Sequence, residues 1–201
     1  MKKINLVLVA VCLVAFTTRV QAGHGIFDSF VILSTSNTGI NQFFDLDSVT
    51  GNLDFSGFNF GSFDTGAGDF FTVNGGQLKS FEDNGDEVTG ARIHWRVYEQ
   101  GTAPGGFTFN TLSNPGGKTG NDRVWESQLN TFNELDLFNT PGKTYNVDVF
   151  GEIFVNVVGN GVVSDFTQAK TASFSIVPAP TAFVLSGIGL AGAALLLRRK
   201  I

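Results

Sequence analysis

The sequence predicts an all-β protein, a single antiparallel β-sandwich with one apolar helix before it and one after it. Short apolar or alternating runs recur between clusters of Gly, Asn, Asp and Thr from residue 23 to residue 177, which is typical of strands joined by turns. No run in this interval has the pattern of a long helix. The interval also holds 19 of the 21 phenylalanines, so we expect an aromatic-rich core.

One domain of this length buries about two thirds of its unfolded surface. The pattern of short strands suits an Ig-like or jelly-roll-like sandwich. The predicted strands are Ser29–Leu33, Asn41–Leu46, Asn52–Phe60, Asp69–Val73, Gln77–Glu82, Ala91–Tyr98, Gly106–Leu112, Val124–Leu129, Thr144–Val158 and Thr171–Ile176.

Two of these strands show which side faces the core. Residues 91–98 and 144–158 both alternate, so each has an apolar side and a polar side. The polar sides carry Arg92, His94 and Arg96 in one strand, and Asp148, Phe150, Glu152 and Phe154 in the other. If the strands pair, the two arginines face Asp148 or Glu152. We expect exposed ion pairs that stabilise the fold by about 0.2–1 kcal/mol each, so that they help to fix the register of the strands more than they add to stability.

The N-terminal helix has the features of a secretory signal peptide. Lys2 and Lys3 precede an apolar run, and the segment closes on the small residue Ala22, a pattern that signal peptidase cleaves. We place the cut between Ala22 and Gly23, with export through the Sec pathway. The only cysteine, Cys12, lies inside this peptide, so the exported domain has no disulfide.

The C-terminal segment, residues 178–201, combines a proline gate, an apolar run and a basic end. The gate is Val177, Pro178, Ala179 and Pro180, and the basic end is Arg198, Arg199 and Lys200. As a helix, residues 181–197 would span about 26 Å, slightly less than the ~30 Å hydrocarbon core of a bilayer. The basic end predicts a cytoplasmic C-terminus and an outward-facing domain.

The domain between these ends is strongly acidic. It contains seven of the 13 basic residues and all 18 acidic residues, a net charge of −11. Such a surface repels phosphate backbones, so nucleic acid is excluded as a partner. Divalent cations and neutral glycans remain compatible with it.

Residues 76–158 resemble a module of secreted bacterial surface and adhesin-like proteins. The resemblance rests on a strand of the form Arg-x-aromatic-Arg-Val-Tyr, a Gly-rich turn, an Asn-Asp-x-x-Trp element and a Pro-Gly-x-Thr-Tyr strand. In this sequence these are Arg92–Tyr98, Gly105–Gly106, Asn121–Trp125 and Pro141–Val149. The resemblance implies an extracellular β-sandwich without assigned catalytic residues.

The C-terminal segment resembles the PEP-CTERM sorting signal of exopolysaccharide-producing Gram-negative bacteria. Gate, helix and basic end follow in the same order, although Ala179 replaces the central Glu of that signal. The resemblance implies recognition by an exosortase-type transpeptidase. It also implies tethering at the inner membrane with the domain in the periplasm, and then delivery to the cell surface or matrix.

Catalytic chemistry has little basis in the sequence. The two histidines are His24, at the new N-terminus where we expect flexibility, and His94, expected to be solvated between two arginines that disfavour a general base. No His and Cys cluster is present for zinc. Glycoside cleavage needs two acids across a cleft, and a choice such as Asp148 with Glu152 is arbitrary among 18 acids.

One acidic stretch has both a functional and a structural interpretation, and so do the two tryptophans. The acidic stretch Glu82, Asp83, Asp86 and Glu87 offers oxygen ligands for Ca²⁺, but Asn84–Gly85 within it is typical of a hairpin turn with a solvated acidic tip. An EF-hand loop starting at Asp45 is excluded, because Val49 and Ser56 occupy ligand positions. No other cofactor is expected.

Trp95 and Trp125 are the two tryptophans. An exposed indole is suited to stack on a sugar, whereas a buried one belongs to the core. We expect Trp95 in the core because it shares a side with Ile93 and Val97. Trp125 follows a charged turn and is the candidate ligand contact.

Three functional classes follow, in this order. The first is a non-enzymatic structural or interaction protein of the cell surface or exopolysaccharide matrix, sorted by its C-terminal signal. The second is a carbohydrate-binding module for matrix polysaccharide. The third, an enzyme, would require convergent acids in a concave site. A permanent membrane anchor is the alternative to sorting and cleavage.

Overall fold

The computed structural model describes residues 23–48, 51–114, 117–128 and 132–177. Several sequence predictions lie outside this part of the chain. They concern the signal peptide with Ala22, the gate residues Pro178–Pro180, the predicted helix 181–197 and the basic residues Arg198, Arg199 and Lys200. Within the described ranges, no helix is long and apolar enough to cross a membrane.

The described residues form twelve strands and two short 3-10 turns, at Thr65–Ala67 and Glu134–Asp136. The strands are β1 (His24–Thr35), β2 (Gly39–Asp45), β3 (Leu53–Asp54), β4 (Asn59–Phe63), β5 (Phe71–Glu82), β6 (Glu87–Glu99), β7 (Thr108–Leu112), β8 (Lys118–Thr119), β9 (Asp122–Ser127), β10 (Thr144–Val157), β11 (Gly161–Phe166) and β12 (Lys170–Ile176).

These strands form two sheets, and the prediction of an all-β fold is confirmed. The first sheet has the order β3-β2-β1-β5-β9-β8, and the second has the order β4-β12-β10-β6-β7, with β11 also paired to β10. The prediction of purely antiparallel sheets is wrong, because β3 runs parallel to β2 and β4 runs parallel to β12. Strands β4 and β12 are distant in sequence, so no tight turn sets their relative direction.

Several predicted strand limits also differ from the structure. The predicted strands Asp69–Val73 and Gln77–Glu82 are one strand, β5, because the register shift opposite Ile32 and Leu33 absorbs Asn74 as a bulge, while Gly75 and Gly76 pair with β1. Residues 52–60 instead divide into β3 and β4, with Gly57 at a positive φ of 74° in the turn between them. Strand β11 was not predicted. Its valines, Val162 and Val163, are exposed rather than part of a side that faces the core.

The Asn84–Gly85 turn forms, but it does not join a hairpin. Both residues have positive φ values, 55° and 85°, as the predicted turn requires. However, β5 already pairs with β1 and β9, one on each side. Strand β6 therefore continues into the second sheet, where it pairs with β10 and β7, and the turn links the two layers.

An aromatic cluster fills the space between the sheets at one end, as predicted. Phe44 contacts Phe60 edge to face at a centroid distance of 5.2 Å, and Phe60 contacts Phe71 in the same way at 5.0 Å. Phe71 then stacks on Phe174 at 5.0 Å. Such pairs contribute about 0.5–1.5 kcal/mol each beyond the area they bury. The cluster joins both layers of a domain that has no disulfide.

Two glycines allow the sheets to approach closely in the middle. A Cβ atom on Gly151 of β10 would lie 2.5 Å from Leu78 Cδ2 of β5. A Cβ atom on Gly76 of β5 would lie 2.6 Å from the backbone oxygen of Phe30 and 3.1 Å from Ile93. Neither position leaves room for a methyl group.

We predict that Gly76→Ala destabilises the domain by about 1–3 kcal/mol, the usual cost of overpacking a tight core. Gly105→Ala is the matched control, because a Cβ atom there meets nothing within 4 Å. Chemical denaturation of both variants measures the effect. Equal unfolding free energies for the two variants would contradict the close approach of the sheets at Gly76.

Candidate functional site

The outward side of the second sheet carries a dense set of aromatic and basic side chains. Alternation along β6 and β10 directs Ile93, Trp95, Val147 and Val149 into the core, so their neighbours point outward. We call this surface the aromatic–arginine face. Its members are Arg92, His94, Arg96, Tyr98, Phe107, Phe109, Phe150, Phe154 and Phe166.

Each arginine of this face lies against two aromatic rings. The Arg92 guanidinium is 4.3 Å from the ring centre of Phe109 and 4.7 Å from that of Phe154. The Arg96 guanidinium is 4.2 Å from Phe107 and 5.5 Å from Tyr98. Cation–π contacts contribute about 0.5–1 kcal/mol each at exposed sites, so the rings hold both guanidinium groups in place.

His94 and Phe150 connect these two arginine clusters. Their rings stack at 4.5 Å with an interplanar angle of 3°. Phe150 also contacts Phe107 at 4.8 Å, and His94 contacts Phe109 at 5.6 Å. Rings and cations therefore form one continuous row across four strands. Its margin is open to solvent, since Phe109 is 48% exposed and Phe166 is 54% exposed.

The predicted pairing of β6 with β10 occurs, and Arg96 lies opposite Asp148. The Arg96 Nε and Nη2 atoms are 2.9 and 2.7 Å from Asp148 Oδ2, and the Thr171 hydroxyl donates to Oδ1 at 2.7 Å. The expectation of an exposed contact is wrong, because Asp148 is only 5% exposed. The Tyr98 hydroxyl also donates to Oδ1 at 3.4 Å, so groups from β6 and β12 surround the carboxylate.

Arg92 lies opposite Glu152 in register, but the carboxylate pairs with a different residue. Glu152 Oε2 is 2.7 Å from His94 Nε2. His94 is thus covered by Phe150 and paired with an acid, and the expectation of a solvated histidine is wrong. Among the ion pairs of the described residues, none involves Arg92. Its N–H groups therefore lie in the exposed row without a carboxylate partner.

A second candidate is a cavity of about 360 Å³ at the β7 edge of the sandwich. We call it the edge pocket, and it lies between β6, β7 and the 3-10 turn Glu134–Asp136. The residues that matter for its chemistry are Trp95, Thr108, Asn110, Phe132, Glu134 and Phe138.

Glu134 is the buried acid of the edge pocket. It is 6% exposed, and its Oε1 atom accepts a hydrogen bond from Trp95 Nε1 at 2.8 Å. Asn133 positions it, because the Asn133 side-chain oxygen accepts from the backbone of Phe71 at 3.0 Å and of Leu135 at 3.2 Å. Burial raises the pKa of Glu134, and the Trp95 hydrogen bond offsets this only in part. Burial therefore disfavours the charged form of this carboxyl group relative to an exposed one.

The acidic stretch at residues 82–87 forms ion pairs rather than an open cluster. Glu82 is 2% exposed and contacts Lys118 and Arg123, whose Nε and Nη2 atoms are each 3.1 Å from its oxygens. Burial alone would raise the pKa of Glu82, but the hydrogen bonds from Lys118, Val88 and Arg123 lower it overall. Glu82 at the base of the turn is thus buried, whereas Asp83, Asn84 and Gly85 at its tip are exposed, as predicted.

His24 also belongs to this end of the molecule. It is the first residue of β1, not a flexible terminus as expected, and its Nδ1 atom is 2.8 Å from Asp86 Oδ2. This hydrogen bond lowers the pKa of Asp86, with help from the Val158 amide. Asp83 and Glu87 complete the weak Ca²⁺ candidates. No group of three acids or histidines suited to a metal ion occurs in the described ranges.

Both tryptophans are buried. Trp95 is 4% exposed, as predicted, and Trp125 is 6% exposed. Trp125 lies opposite Leu78 within the first sheet, and its Nε1 atom donates to Ser80 Oγ at 3.1 Å. Because its indole face packs in the core, the structure gives no exposed surface for the predicted ligand contact at Trp125.

Sequence reasoning missed the residues that form the two candidate sites. Phe150 and Phe154 stand on the polar side of an alternating strand, and that placement was the available signal for an exposed aromatic row. Phe107 and Phe109 reach the row only through the pairing of β7 with β6. No local pattern marks Glu134. The chain matches no model of a known protein family, and no curated protein matches it.

We predict that Glu134→Gln stabilises the domain relative to wild type as the pH rises. Below the ordinary pKa of 4.5 both states of the wild type are protonated at Glu134 and burial carries no charge penalty. Above it the unfolded chain ionises first, so wild-type stability falls until the folded pKa is passed, by about 1.4 kcal/mol for each unit between the two values.

Urea denaturation between pH 4 and pH 8 measures this difference. Asp136→Asn is the control, because it removes an exposed charge from the same turn. Parallel stability curves for wild type and Glu134→Gln across this range would show that burial does not shift the titration of Glu134.

Proposed function

We propose that this chain is an exported, non-enzymatic interaction protein of the cell surface or the exopolysaccharide matrix. In this proposal the Sec pathway exports it and the helix 181–197 holds it at the inner membrane with the domain in the periplasm. An exosortase-type transpeptidase then acts near Pro178–Pro180. The position of the domain supports this order, since β1 begins at His24 and β12 ends at Ile176, just inside the two predicted processing sites.

The observation that carries the interaction role is the aromatic–arginine face. Exposed aromatic rings and arginines are the residues that contribute most to binding surfaces. Here the sheet backbone and the ring stacking order them before a partner arrives, which lowers the entropy cost of binding. A purely solvated sheet surface would not need a continuous row of rings.

The state of the acids supports binding over catalysis. Asp148 and Glu152 face outward, but each is held by a basic partner at 2.7 Å. Glycoside cleavage requires two carboxyl groups on opposite sides of a sugar, whereas Glu134 is the one acid among the residues that line the edge pocket. Neither candidate site therefore has the arrangement that acid–base hydrolysis requires.

A second candidate function is the binding of matrix polysaccharide. A flat row of rings suits the apolar faces of sugar units, and the Arg92 N–H groups between them suit hydroxyl oxygens. A neutral glycan fits better than a polyanion, because the domain carries −11 charges and would repel the latter. This candidate uses the same face and differs from the first in the partner alone.

We predict that the mature protein lacks its last residues. Mass spectrometry of the chain recovered from the cell surface or medium should give an N-terminus at Gly23 and a C-terminus near Pro178–Pro180. A Pro178→Ala/Pro180→Ala variant, which removes the gate, should keep the full segment. A mature wild-type chain that still carries Arg198–Ile201 would favour the alternative of a permanently anchored protein.

We predict that Phe109→Ala/Phe166→Ala weakens retention on purified matrix polysaccharide by about tenfold, since each lost ring contact contributes about 0.5–1.5 kcal/mol. Phe27→Ala is the control, because Phe27 is 46% exposed but belongs to the first sheet. Unchanged retention of the double variant would argue against glycan binding by the face. Loss of a surface protein from a pull-down with the same variant would then identify the first candidate.

A further inference from the structure

We propose that β11 is a dimerisation edge, which pairs antiparallel with β11 of a second copy of this chain in a register centred on Val163. This pairing joins the second sheets of the two copies into one continuous sheet. The inference goes beyond the proposed function, because it concerns a sheet edge and holds whatever the aromatic–arginine face binds.

Strand β11 lacks the protection that the other edge strands of the described residues have. Sheet edges are normally kept from pairing with other chains by short strands, bulges, Lys or Pro. Strands β3 and β8 have two residues each, β4 has a register shift against β12, and β7 leads into Ser113, whose backbone bonds Glu126 of β9. Strand β11 has six residues, pairs with β10 without a register shift and contains neither Lys nor Pro.

The hydrogen-bond pattern shows which backbone groups of β11 point away from the sheet. The Thr167 N–H donates to the Gly151 oxygen at 2.9 Å, which makes these residues a hydrogen-bonded pair. Such pairs alternate along antiparallel strands, so Val163 directs its backbone groups toward β10, whereas Val162 and Ser164 direct theirs outward. Within the described ranges no strand pairs with β11 on that side, and these N–H and C=O groups are open to a further strand.

The end of the open edge fixes the register. The Phe166 N–H also points outward, but it donates to the Asp165 side chain at 2.9 Å. Both copies use their open residues fully when Val162 of each lies opposite Ser164 of the other. This register sets Val163 opposite itself as a non-hydrogen-bonded pair and forms four backbone hydrogen bonds between the copies. A register centred elsewhere would set an open residue against Phe166 or against the turn before β11.

The low charge of β11 lets a second copy of this acidic domain approach. The domain carries −11 charges, so most of its surface repels another copy. From Val158 to Phe166 the one charged residue is Asp165, and the register places it opposite Gly161 instead of a second Asp165. At the centre the two Val163 side chains form an apolar cross-strand pair.

Two-fold pairing also explains why the occupant is a second copy and not a strand of another protein. An isologous contact uses the β11 edge of both copies at once, so assembly stops at a dimer. An added peptide strand would instead present a new unpaired edge of its own.

The dimer would present two aromatic–arginine faces side by side. Ser164 and Phe166 lie on the same side of the sheet as Phe154 and Glu152, their partners on β10, and a two-fold axis perpendicular to the sheet keeps that side common to both copies. Two linked sites bind a repeating polymer with avidity. This consequence rests on the proposed function, whereas the pairing itself does not.

Cysteine cross-linking of the full chain in detergent micelles tests the pairing, with the one cysteine removed by Cys12→Ser. In the proposed register the two Cα atoms at position 163 lie about 4.5 Å apart, inside the disulfide range of about 4.4–6.8 Å. The two Cα atoms at position 164 are diagonal neighbours about 7–8 Å apart, beyond that range. Ser164→Cys is therefore a matched control for Val163→Cys at the same exposed edge.

We expect mild oxidation of Val163→Cys to give a product of twice the chain mass about tenfold faster than oxidation of Ser164→Cys. One strand pair is a small interface, so the yield should depend on chain concentration, with a Kd of about 10–100 µM.

A proline tests whether the outward backbone groups carry the pairing. Adding Ser164→Pro to Val163→Cys removes one outward N–H and leaves the bonds to β10 in place, so cross-linking should become about tenfold slower. Ser164→Ala keeps the N–H and should not slow it. The near-UV circular dichroism of the two buried tryptophans shows whether each variant is folded.

Equal cross-linking of Val163→Cys and Ser164→Cys would indicate random collision and overturn the proposal. Absence of the double-mass product from Val163→Cys, or unchanged cross-linking in the folded proline variant, would overturn it as well. Capture of a different protein by Val163→Cys in the exporting cells, without the double-mass product, would identify a foreign strand as the occupant instead. No glycan enters these measurements, so their outcome is separate from that of the retention experiment.

Discussion

The pairing of β6 with β10 is the constraint on which the rest of the molecule depends. These are the two longest strands of the described residues, and their pairing extends from Tyr145 opposite Glu99 to Asn156 opposite Glu87, with one register shift between Phe154 and Val155. Side chains alternate with a period of two, so a slip of one residue would move every core residue to the surface. The register from Tyr145 to Phe154 places Ile93 and Val149 in the core and Arg96 and Phe150 outside. Core and candidate binding surface are thus two sides of one pairing.

The charged groups of this sheet reinforce that register. Asp148 joins three strands, because it accepts from Arg96 on β6 and Thr171 on β12 while it belongs to β10. Charge-assisted hydrogen bonds of this kind are stronger than neutral ones, and a one-residue slip would bury the carboxylate away from its donors. In a domain without disulfides, this network and the aromatic cluster together hold one strand arrangement against alternatives.

The two candidate sites meet at adjacent residues of β6. Trp95 points inward and holds Glu134 at the edge pocket, while Arg96 points outward and lies between Phe107 and Tyr98. A ligand on either side therefore acts on the same strand. Trp95 pairs with Thr108 of β7 and Val149 of β10, and Arg96 pairs with Asp148 of β10, so the ladder keeps both sites ordered before any ligand binds.

Alternation and turn residues act over a few positions, and from them the sequence predicts the all-β class, the inward direction of Trp95 and, if β6 and β10 pair, arginines that face Asp148 or Glu152. The tertiary structure sets the mixed strand directions, the passage of the Asn84–Gly85 turn between layers, the burial of Trp125, the pairing of Arg96 with Asp148 and the partner of Glu152. It also brought Phe107, Phe109 and Phe166 onto one face and placed Glu134 against Trp95. These contacts join residues that are distant along the chain, and long-range packing and register, which no local pattern encodes, select them.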